Sequence, residues 1–440
     1  MRSRTFIALF LAVVLTSISA TPTPLAASGN MQEPQPATTI PMLPGTTIPI
    51  KVAGGNQTNP SVTCNIASYT NDDLEGISSI RYFDFATGTE HLVPGNGLDR
   101  LSETDGQRIV FTELSATGDR VALYDIASQM TTVIGGGWDS DPALGGNLVA
   151  FRHAESPNAI GDISLYDRNT GGYLPLAFND DQDWWPAVSP DGNVVTWASC
   201  RSGMAGCSIN AAIKSSDGKL FSIRLISGTG ENQRPDTNGE FIVYTSDKNG
   251  ENDIYVQRVD NATEKHLSIP GDQVGVRISG NLLVFESQVA DRSYDIFVYD
   301  LTTARLYQVT NTPGVSEELS DIVTGCDGVN RVVYAVPGTF GDFDVYGFNF
   351  QLNDSIADQL NDLIALVGSF NLHDGTENSL ISKLQDALTA VNSSNTATAC
   401  DSLTAFINAS QAQSGKKLTA EQVRQLVDSA AQVKTDLGCQ

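Results

Sequence analysis

Short hydrophobic runs of strand type recur at regular intervals through the central part of the chain. The first run of each unit carries an aromatic residue, and these residues are Tyr69, Phe111, Phe151, Trp197, Tyr244, Phe285 and Tyr334. A second run follows and begins with Ile or Val, at Ile80, Val121, Ile163, Ile209, Ile254, Ile296 and Val345. Both series repeat at roughly 40 to 50 residues and stay in step. The pattern predicts seven copies of one β-unit.

Units of this length, each with several short strands, are typical of the blades of a β-propeller. The runs are rich in β-branched and aromatic residues, and Asn, Asp and Gly separate them. They have no apolar stripe of helical spacing, so a helical solenoid is excluded. We therefore expect a mainly β fold, with a seven-bladed β-propeller over residues 46–350.

The two ends of the repeat region predict how the ring closes. After residues 346–350 the composition becomes helical, so the last unit lacks an outer strand. Upstream of the first unit, Ile48–Val62 aligns with Leu174–Val188 of a complete unit. The segment near residues 47–52 is therefore expected to pair with the strand near residues 343–350, which removes the exposed edges of an open sheet.

Two stretches resemble the repeat of TolB-type, WD40-like propellers. They are WPAVSPDGNVVTW, which runs from Trp185 to Trp197, and YTSDKNGENDIY, which runs from Tyr244 to Tyr255. The resemblance covers residues 46–350 and implies the propeller fold. It implies no particular activity, because that family includes both binding scaffolds and the propeller halves of peptidases.

Residues 353–440 differ in character from the repeats, because apolar residues there take helical spacing. Four amphipathic helices fit these stripes, and Thr419 with Gln422 forms a capping-box start. The module resembles the small helical domains called FIMAH, which occur in exported microbial proteins and imply no chemistry. The matching stretches are Asn378–Leu380, Ala399–Cys400 and Phe406–Thr419.

The N-terminus has the order of a secretory signal: two arginines, an apolar run over Phe6–Leu15, then small and polar residues. We expect a signal peptide over residues 1–20, cleaved near residues 20–27, and a Pro/Thr-rich linker over residues 21–45. No apolar stretch reaches the ~18 residues of a membrane helix. The chain is therefore expected to be exported, to a periplasm, the extracellular space or a cell surface, without a membrane span.

Six cysteines in an exported chain predict disulfides. One pair joins equivalent positions of the first and last units, which are neighbours only in a closed ring. A second pair brackets a short loop, and a third can staple the helical module. The predicted pairs are Cys64–Cys326, Cys200–Cys207 and Cys400–Cys439.

The charge balance narrows the range of partners and cofactors. With 26 Lys and Arg against 51 Asp and Glu, the net charge is −25, so nucleic acid is not an expected partner. The four histidines are isolated in sequence, so we expect no cofactor and no His-based metal site. A weak calcium prediction falls on Asp247, Asn249 and Asp253, which have the spacing of half a calcium loop.

Propellers commonly bind ligands where the loops that lead into the inner strands meet the loops after the second strands. A candidate ligand site is therefore placed on these leading loops, at Asn59, Asp141, Trp184, Trp185, Gln233, Arg234 and Arg277. Adjacent tryptophans in a strand cannot both enter one core face. One is expected to be exposed at the mouth, where it can stack on a sugar or anchor a protein; wedging between blades is the alternative.

No Gly-x-Ser-x-Gly elbow, phosphate loop or His-Glu-x-x-His helix occurs in the chain. The leading hypothesis is therefore that the chain is not an enzyme but an exported noncatalytic binding protein for a protein or glycan partner. The alternative is a secreted carbohydrate-active propeller enzyme, a polysaccharide lyase or glycosidase that uses channel-mouth carboxylates. A structural cell-surface component is a third hypothesis.

Overall fold

The computed structural model describes residues 40–176, 181–201, 206–215, 221–288, 293–338, 341–352, 355–370 and 372–439. The predicted signal peptide and most of the predicted linker lie outside these residues. Within them the chain forms a seven-bladed β-propeller followed by four helices, which confirms the predicted fold class. No helix in this part of the chain is long and apolar enough to cross a membrane.

Each blade is an antiparallel sheet of four strands. From blade 1 to blade 7, the inner strands are β2 (Asn56–Val62), β6 (Asp99–Thr104), β10 (Ser140–Gly145), β14 (Asp181–Val188), β18 (Asn232–Thr237), β22 (Gln273–Ser279) and β26 (Glu318–Cys326). In the same order, the second strands are β3 (Ile66–Asp72), β7 (Arg108–Glu113), β11 (Leu148–Ala154), β15 (Val194–Arg201), β19 (Phe241–Ser246), β23 (Leu282–Ser287) and β27 (Val329–Pro337).

The third strands are β4 (Ser78–Asp84), β8 (Arg120–Asp125), β12 (Gly161–Asp167), β16 (Cys207–Lys214), β20 (Asp253–Arg258), β24 (Asp295–Asp300) and β28 (Phe343–Phe350). The outer strands are β5 (Thr89–Leu92), β9 (Met130–Val133), β13 (Gly172–Pro175), β17 (Phe221–Ser227), β21 (Glu264–Leu267), β25 (Arg305–Gln308) and β1 (Gly45–Lys51).

The hydrophobic core lies between successive blades, because alternate side chains of a strand face opposite neighbours. Ile80 and Tyr82 of blade 1, for example, pack against Ile109 and Phe111 of blade 2. All seven aromatic residues that mark the repeat are buried. Full burial of one such side chain contributes roughly 1.5–3 kcal/mol, so the repeat in the sequence reflects packing between blades.

The ring closes as the sequence predicts. Strand β1 from the N-terminal side pairs antiparallel with β28, with Gly45 opposite Phe350 and Lys51 opposite Val345. The Cys64–Cys326 disulfide, with 5.0 Å between its Cα atoms, joins the first and last blades. The other two predicted disulfides are also present.

The packed chain begins before the predicted propeller boundary. Leu43, in the segment predicted to be a linker without core contacts, is buried. Its backbone N–H donates to the Gln308 carbonyl at 2.8 Å, and the N–H of Gln308 donates to the Pro41 carbonyl at 2.9 Å. The linker prediction is wrong for these residues, because a proline-rich composition still leaves carbonyls and single N–H groups that can extend the edge of β25.

Every inner strand carries a β-bulge against its neighbour at the same place. At each bulge one residue has a positive φ, between 45° and 66°, and these residues are Asn59, Leu101, Asp141, Trp185, Arg234, Gly275 and Leu319. A bulge re-aims the side chains beside it. The seven bulges therefore form a ring that separates the two ends of the central channel.

A belt of buried polar side chains lies two residues before the bulges. Its members are Gln57, Asp99, Asp139, Asp183, Asn232, Gln273 and Glu317, none more than 2% exposed. Asn232 Nδ2 donates to the Thr229 carbonyl at 2.9 Å, and Gln273 Nε2 donates to the Ile269 carbonyl at 3.1 Å. Such contacts satisfy backbone groups of the loops that lead into the inner strands, so these two belt residues stabilise the loops at this end of the ring.

The helical region contains α1 (Ile356–Ser369), α2 (Asp374–Asn392), α3 (Thr396–Ala412) and α4 (Ala420–Asp436). Its core includes Leu360, Leu403 and Phe406, all of them fully buried. The predicted capping box at Thr419 and Gln422 is confirmed.

Candidate active site in the channel

A cavity of about 500 Å³ lies inside the ring of inner strands. Residues from all seven blades line it, from the bulge of each inner strand towards the far end of that strand, and in six blades the lining includes residues at or beside the turn that follows. The lining includes Pro190 and Gly280, which are exposed residues of two such turns. The cavity therefore reaches solvent on the turn side of the propeller. None of the described loops that lead into the inner strands contributes to its lining.

The structure brings most of the predicted site residues together, but not where the sequence placed them. The five that line the cavity are Asn59, Asp141, Trp185, Arg234 and Arg277; Trp184 and Gln233 do not line it. All seven lie within inner strands rather than in loops, because each strand starts before its hydrophobic run and bulges there. The cavity also lies on the turn side of the bulges, whereas the sequence placed the site on the leading loops.

The two adjacent tryptophans face different surroundings. Both are half-buried, so the prediction that one would be exposed is wrong. Trp184 packs under the Arg152 guanidinium at 4.2 Å, outside the cavity. Trp185 lines the cavity and lies 5.9 Å from the Arg234 guanidinium. The alternation predicted for a strand holds, and it leaves one indole beside the cavity.

Four carboxyl groups of the cavity each accept a hydrogen bond from the backbone of the next blade. The pairs are Glu103 with Leu144 N at 3.2 Å, Asp141 with Trp185 N at 2.9 Å, Asp236 with Ile278 N at 2.8 Å and Asp321 with Val62 N at 2.8 Å. These bonds fix each carboxyl against a strand of the ring. Each bond occupies only one of the two oxygens of its carboxyl group.

Another carboxyl reaches the cavity from a second strand. Glu286 of β23 accepts hydrogen bonds from the backbone N–H and the hydroxyl of Ser320 at 2.8 and 2.6 Å. It fits beside the bulge of blade 6 because Gly275 has no side chain: a Cβ at Gly275 would lie 2.0 Å from Glu286 Oε2. Glycine at this bulge therefore makes room for a carboxyl from the neighbouring strand.

Removal from water shifts the proton affinities of these groups. Burial raises the pKa of Glu103 to about 8, and nearby Asp236 and Asp321 add to the rise, against the Leu144 hydrogen bond and the Arg277 charge. Burial likewise raises the pKa of Glu286 to about 7 and that of Asp321 to about 6. Burial also raises the pKa of Asp141, opposed by the Trp185 hydrogen bond and by three arginine charges. Glu103 is therefore suited to hold a proton at neutral pH.

Glu103 and Asp141 differ from Asp321 in their free oxygens. Asp321 uses both oxygens, since its Oδ1 also accepts from Ile322 N at 2.9 Å. Glu103 Oε2 and Asp141 Oδ1 accept no hydrogen bond from any described residue. The two residues lie on adjacent inner strands, and Glu103 binds the N–H of Leu144, three positions after Asp141. Their free oxygens are available to a ligand.

Two arginines complete the cavity lining. Burial alone would lower the pKa of Arg277, but the charges of Asp236, Asp321 and Glu103 outweigh it and raise that pKa. Burial lowers the pKa of Arg234, and the neighbouring Arg277 charge lowers it further. The two guanidinium groups are therefore close enough to repel each other.

No group of three or more His, Cys, Asp or Glu residues that could hold a metal occurs in the part of the chain that the structure describes. In the segment of the weak calcium prediction, Asp253 Oδ2 is 2.9 Å from His266 Nε2, and Asp247 Oδ1 accepts from Glu231 N at 2.7 Å. Calcium at this segment stays a prediction.

Sequence reasoning missed Glu103, Asp236, Glu286 and Asp321. Three of them could have been found from the repeat. In six blades the residue two positions after the positive-φ residue of the bulge lines the cavity. In four blades the bulge residue also precedes a proline, which marks its place in the sequence. Aligning that position across blades selects Glu103, Asp236, Arg277 and Asp321. Glu286 has no such signal, because it reaches the cavity only through the space at Gly275.

Neither a family model nor a curated protein matches this chain. Solved structures share its fold. An acylaminoacyl peptidase from Pyrococcus horikoshii has a TM-score of 0.51 at 11% identity and covers 68% of this chain and 53% of its own. An oligogalacturonate lyase in complex with manganese has a TM-score of 0.51 at 12% identity and covers 71% and 99%. TolB from Acinetobacter baumannii has a TM-score of 0.39 at 14% identity and covers 66% and 78%.

The likenesses with a TM-score above 0.5 show a shared propeller fold, and this chain covers about half the length of the two peptidases and the puromycin hydrolase it resembles. These three and the oligogalacturonate lyase are enzymes. The expectation that this chain is not an enzyme is therefore wrong, and its argument from missing motifs fails for a physical reason. Carboxyl groups contributed by separate blades meet only in space, so they leave no local motif in the sequence.

Proposed function

We propose that the chain is an exported carbohydrate-active enzyme that hydrolyses glycosidic bonds in the turn-side cavity. The observation that carries the proposal is the pair Glu103 and Asp141 on adjacent blades. Each has one carboxyl oxygen without a hydrogen-bond partner among the described residues, and both open into one solvent-connected cavity. The half-buried Trp185 beside them offers a flat apolar surface of the kind that packs against a sugar ring.

The two carboxyls would divide the work of hydrolysis. Glu103, whose pKa burial raises to about 8, would donate its proton to the glycosidic oxygen as the bond from that oxygen to the anomeric carbon breaks. Asp141, whose pKa burial raises against the opposing charges of three arginines, would take a proton from the water that attacks the anomeric carbon. The products are a reducing sugar and a free hydroxyl on the leaving group, and proton exchange with solvent restores both carboxyls.

The surroundings proposed for this enzyme are those of an exported protein. Three disulfides fit an oxidising compartment. We propose that residues 1–20 are its signal peptide and that its partner is a glycan. We also propose that the propeller is of the TolB type and that the helical region is a FIMAH-like accessory module.

The proposal is tested by product analysis on a panel of oligosaccharides and polysaccharides. Hydrolysis yields new reducing ends without an unsaturated sugar, and Asp141→Asn should reduce this activity at least a hundredfold. Glu75→Gln, at an exposed carboxyl remote from the cavity, is the control and should act as the wild type does. An unsaturated product would indicate elimination instead, and equal activity in D141N and wild type would refute the assignment of Asp141.

A further inference from the structure

Arg234 and Arg277 lie on adjacent inner strands and line the same cavity. Both residues are half-buried. Within the described residues neither guanidinium forms a hydrogen bond or an ion pair; Arg234 has only the indole of Trp185 at 5.9 Å. A guanidinium group carries five N–H donors in a fixed plane. The cavity thus holds two sets of donors with no acceptor from the described part of the chain.

The Arg277 charge opposes the Arg234 charge in the empty cavity. Two like charges on neighbouring strands repel each other, and partial burial removes part of the water that would screen them. Six carboxyl groups line the cavity, those of Glu103, Asp105, Asp141, Asp236, Glu286 and Asp321, and within the described residues none of them forms an ion pair with either arginine. An anion placed between the two guanidinium groups would satisfy donors of both.

We propose that Arg234 and Arg277 bind a carboxylate carried by the saccharide, so that the substrate is a uronic-acid-containing glycan. This inference rests on the proposed function. A planar guanidinium pairs well with the two oxygens of a carboxylate or with a phosphate. The surrounding carboxyls of Glu103, Asp141, Asp236, Glu286 and Asp321 favour a monoanion, because they repel a dianion such as phosphate more strongly.

The positions of the cavity residues define the orientation of a bound sugar. Trp185 lies between Asp141, which binds its backbone N–H, and Arg234, which faces its indole. A sugar ring on the indole would therefore place its carboxylate towards Arg234 and Arg277 and its glycosidic bond towards Glu103 and Asp141. One sugar ring would contact both the anion site and the two carboxyls proposed for catalysis.

The test is calorimetric binding of uronic-acid oligosaccharides to full-length E103Q, which is expected to bind without turnover. Each oligosaccharide is paired with its carboxyl-reduced, neutral counterpart. We expect at least tenfold tighter binding of the acidic member, and loss of that preference in E103Q carrying Arg234→Gln or, as a milder variant, Arg277→Lys. Arg258→Gln is the matched control, because Arg258 lies on the same blade as Arg234 but pairs with Asp260 and does not line the cavity; the preference should persist in it.

Each other result has a distinct meaning. Equal binding of both members, or hydrolysis of neutral glycans alone, would overturn the carboxylate site and leave the proposed hydrolase intact. Binding of inorganic phosphate or sulfate as tight as that of the acidic sugars would overturn the assignment of the site to a saccharide. Failure of every saccharide to bind folded E103Q would overturn both the site and the proposed function.

Discussion

The Asp321 side chain on the last blade accepts a 2.8 Å hydrogen bond from the backbone N–H of Val62 on the first blade. The two residues are 259 positions apart in the sequence and meet only because the ring is closed. Asp321 also lines the cavity and faces the Arg277 charge. Closure of the propeller and the shape of the candidate site therefore depend on the same contacts.

The disulfide beside this contact should stabilise the closed ring. Replacing Cys64 and Cys326 with serine is expected to lower the free energy of unfolding by about 4–5 kcal/mol, because the bond closes a very long loop. Urea unfolding followed by tryptophan fluorescence measures this in the propeller, where all four tryptophans lie. The Cys400→Ser, Cys439→Ser pair should leave that transition in place, and a similar loss in both double variants would contradict a specific role in closure.

A substitution at Gly275 tests whether this glycine makes room for the Glu286 side chain in the cavity. Gly275→Ala should destabilise the fold by more than the roughly 1–2 kcal/mol that alanine costs in a left-handed conformation, because its Cβ would displace Glu286 Oε2. Gly88→Ala is the control, since Gly88 has nearly the same φ, +67° against +66°, and open space around it. Thermal unfolding compares the two, and equal losses would show that Glu286 is not constrained by this glycine.

Stability should fall as the pH rises from about 4.5 to 8, which is unusual for carboxyl groups. Since burial raises the pKa of Glu103 to about 8, the folded state retains a proton there that the unfolded state releases. Between these two pH values the folded state binds more protons, so raising the pH favours unfolding. Glu103→Gln should flatten this part of the curve of unfolding free energy against pH. A curve as steep as that of the wild type would show that Glu103 does not hold the proton.

The sequence predicts the architecture well because packing between blades repeats. Each blade must bury an aromatic residue such as Phe111 or Phe285 against its neighbour, so the interval between these residues sets the blade count. The site is harder to predict because it depends on one irregularity per strand. The bulge at Trp185 decides which side of the strand each later residue faces, and a hydrophobic pattern does not contain that information.

The sequence also does not predict which side chains from different strands come close together in the cavity. Glu286 lies in a second strand and enters the cavity only where Gly275 leaves space. Glu103 and Asp236, on blades 2 and 5, are close enough for the Asp236 charge to raise the pKa of Glu103. Such proximity follows from the curvature of the closed ring, which the spacing of residues along the chain does not give.

The role of Glu103 as proton donor is tested most directly by comparing two leaving groups in Glu103→Gln. A sugar leaving group needs a proton, whereas a nitrophenolate leaves without one. We predict that E103Q slows release of the sugar by about a hundredfold to ten-thousandfold and slows release of nitrophenolate from the matching glycoside far less, with the fold unchanged by circular dichroism. Equal loss on both substrates, or no loss on either, would contradict this role.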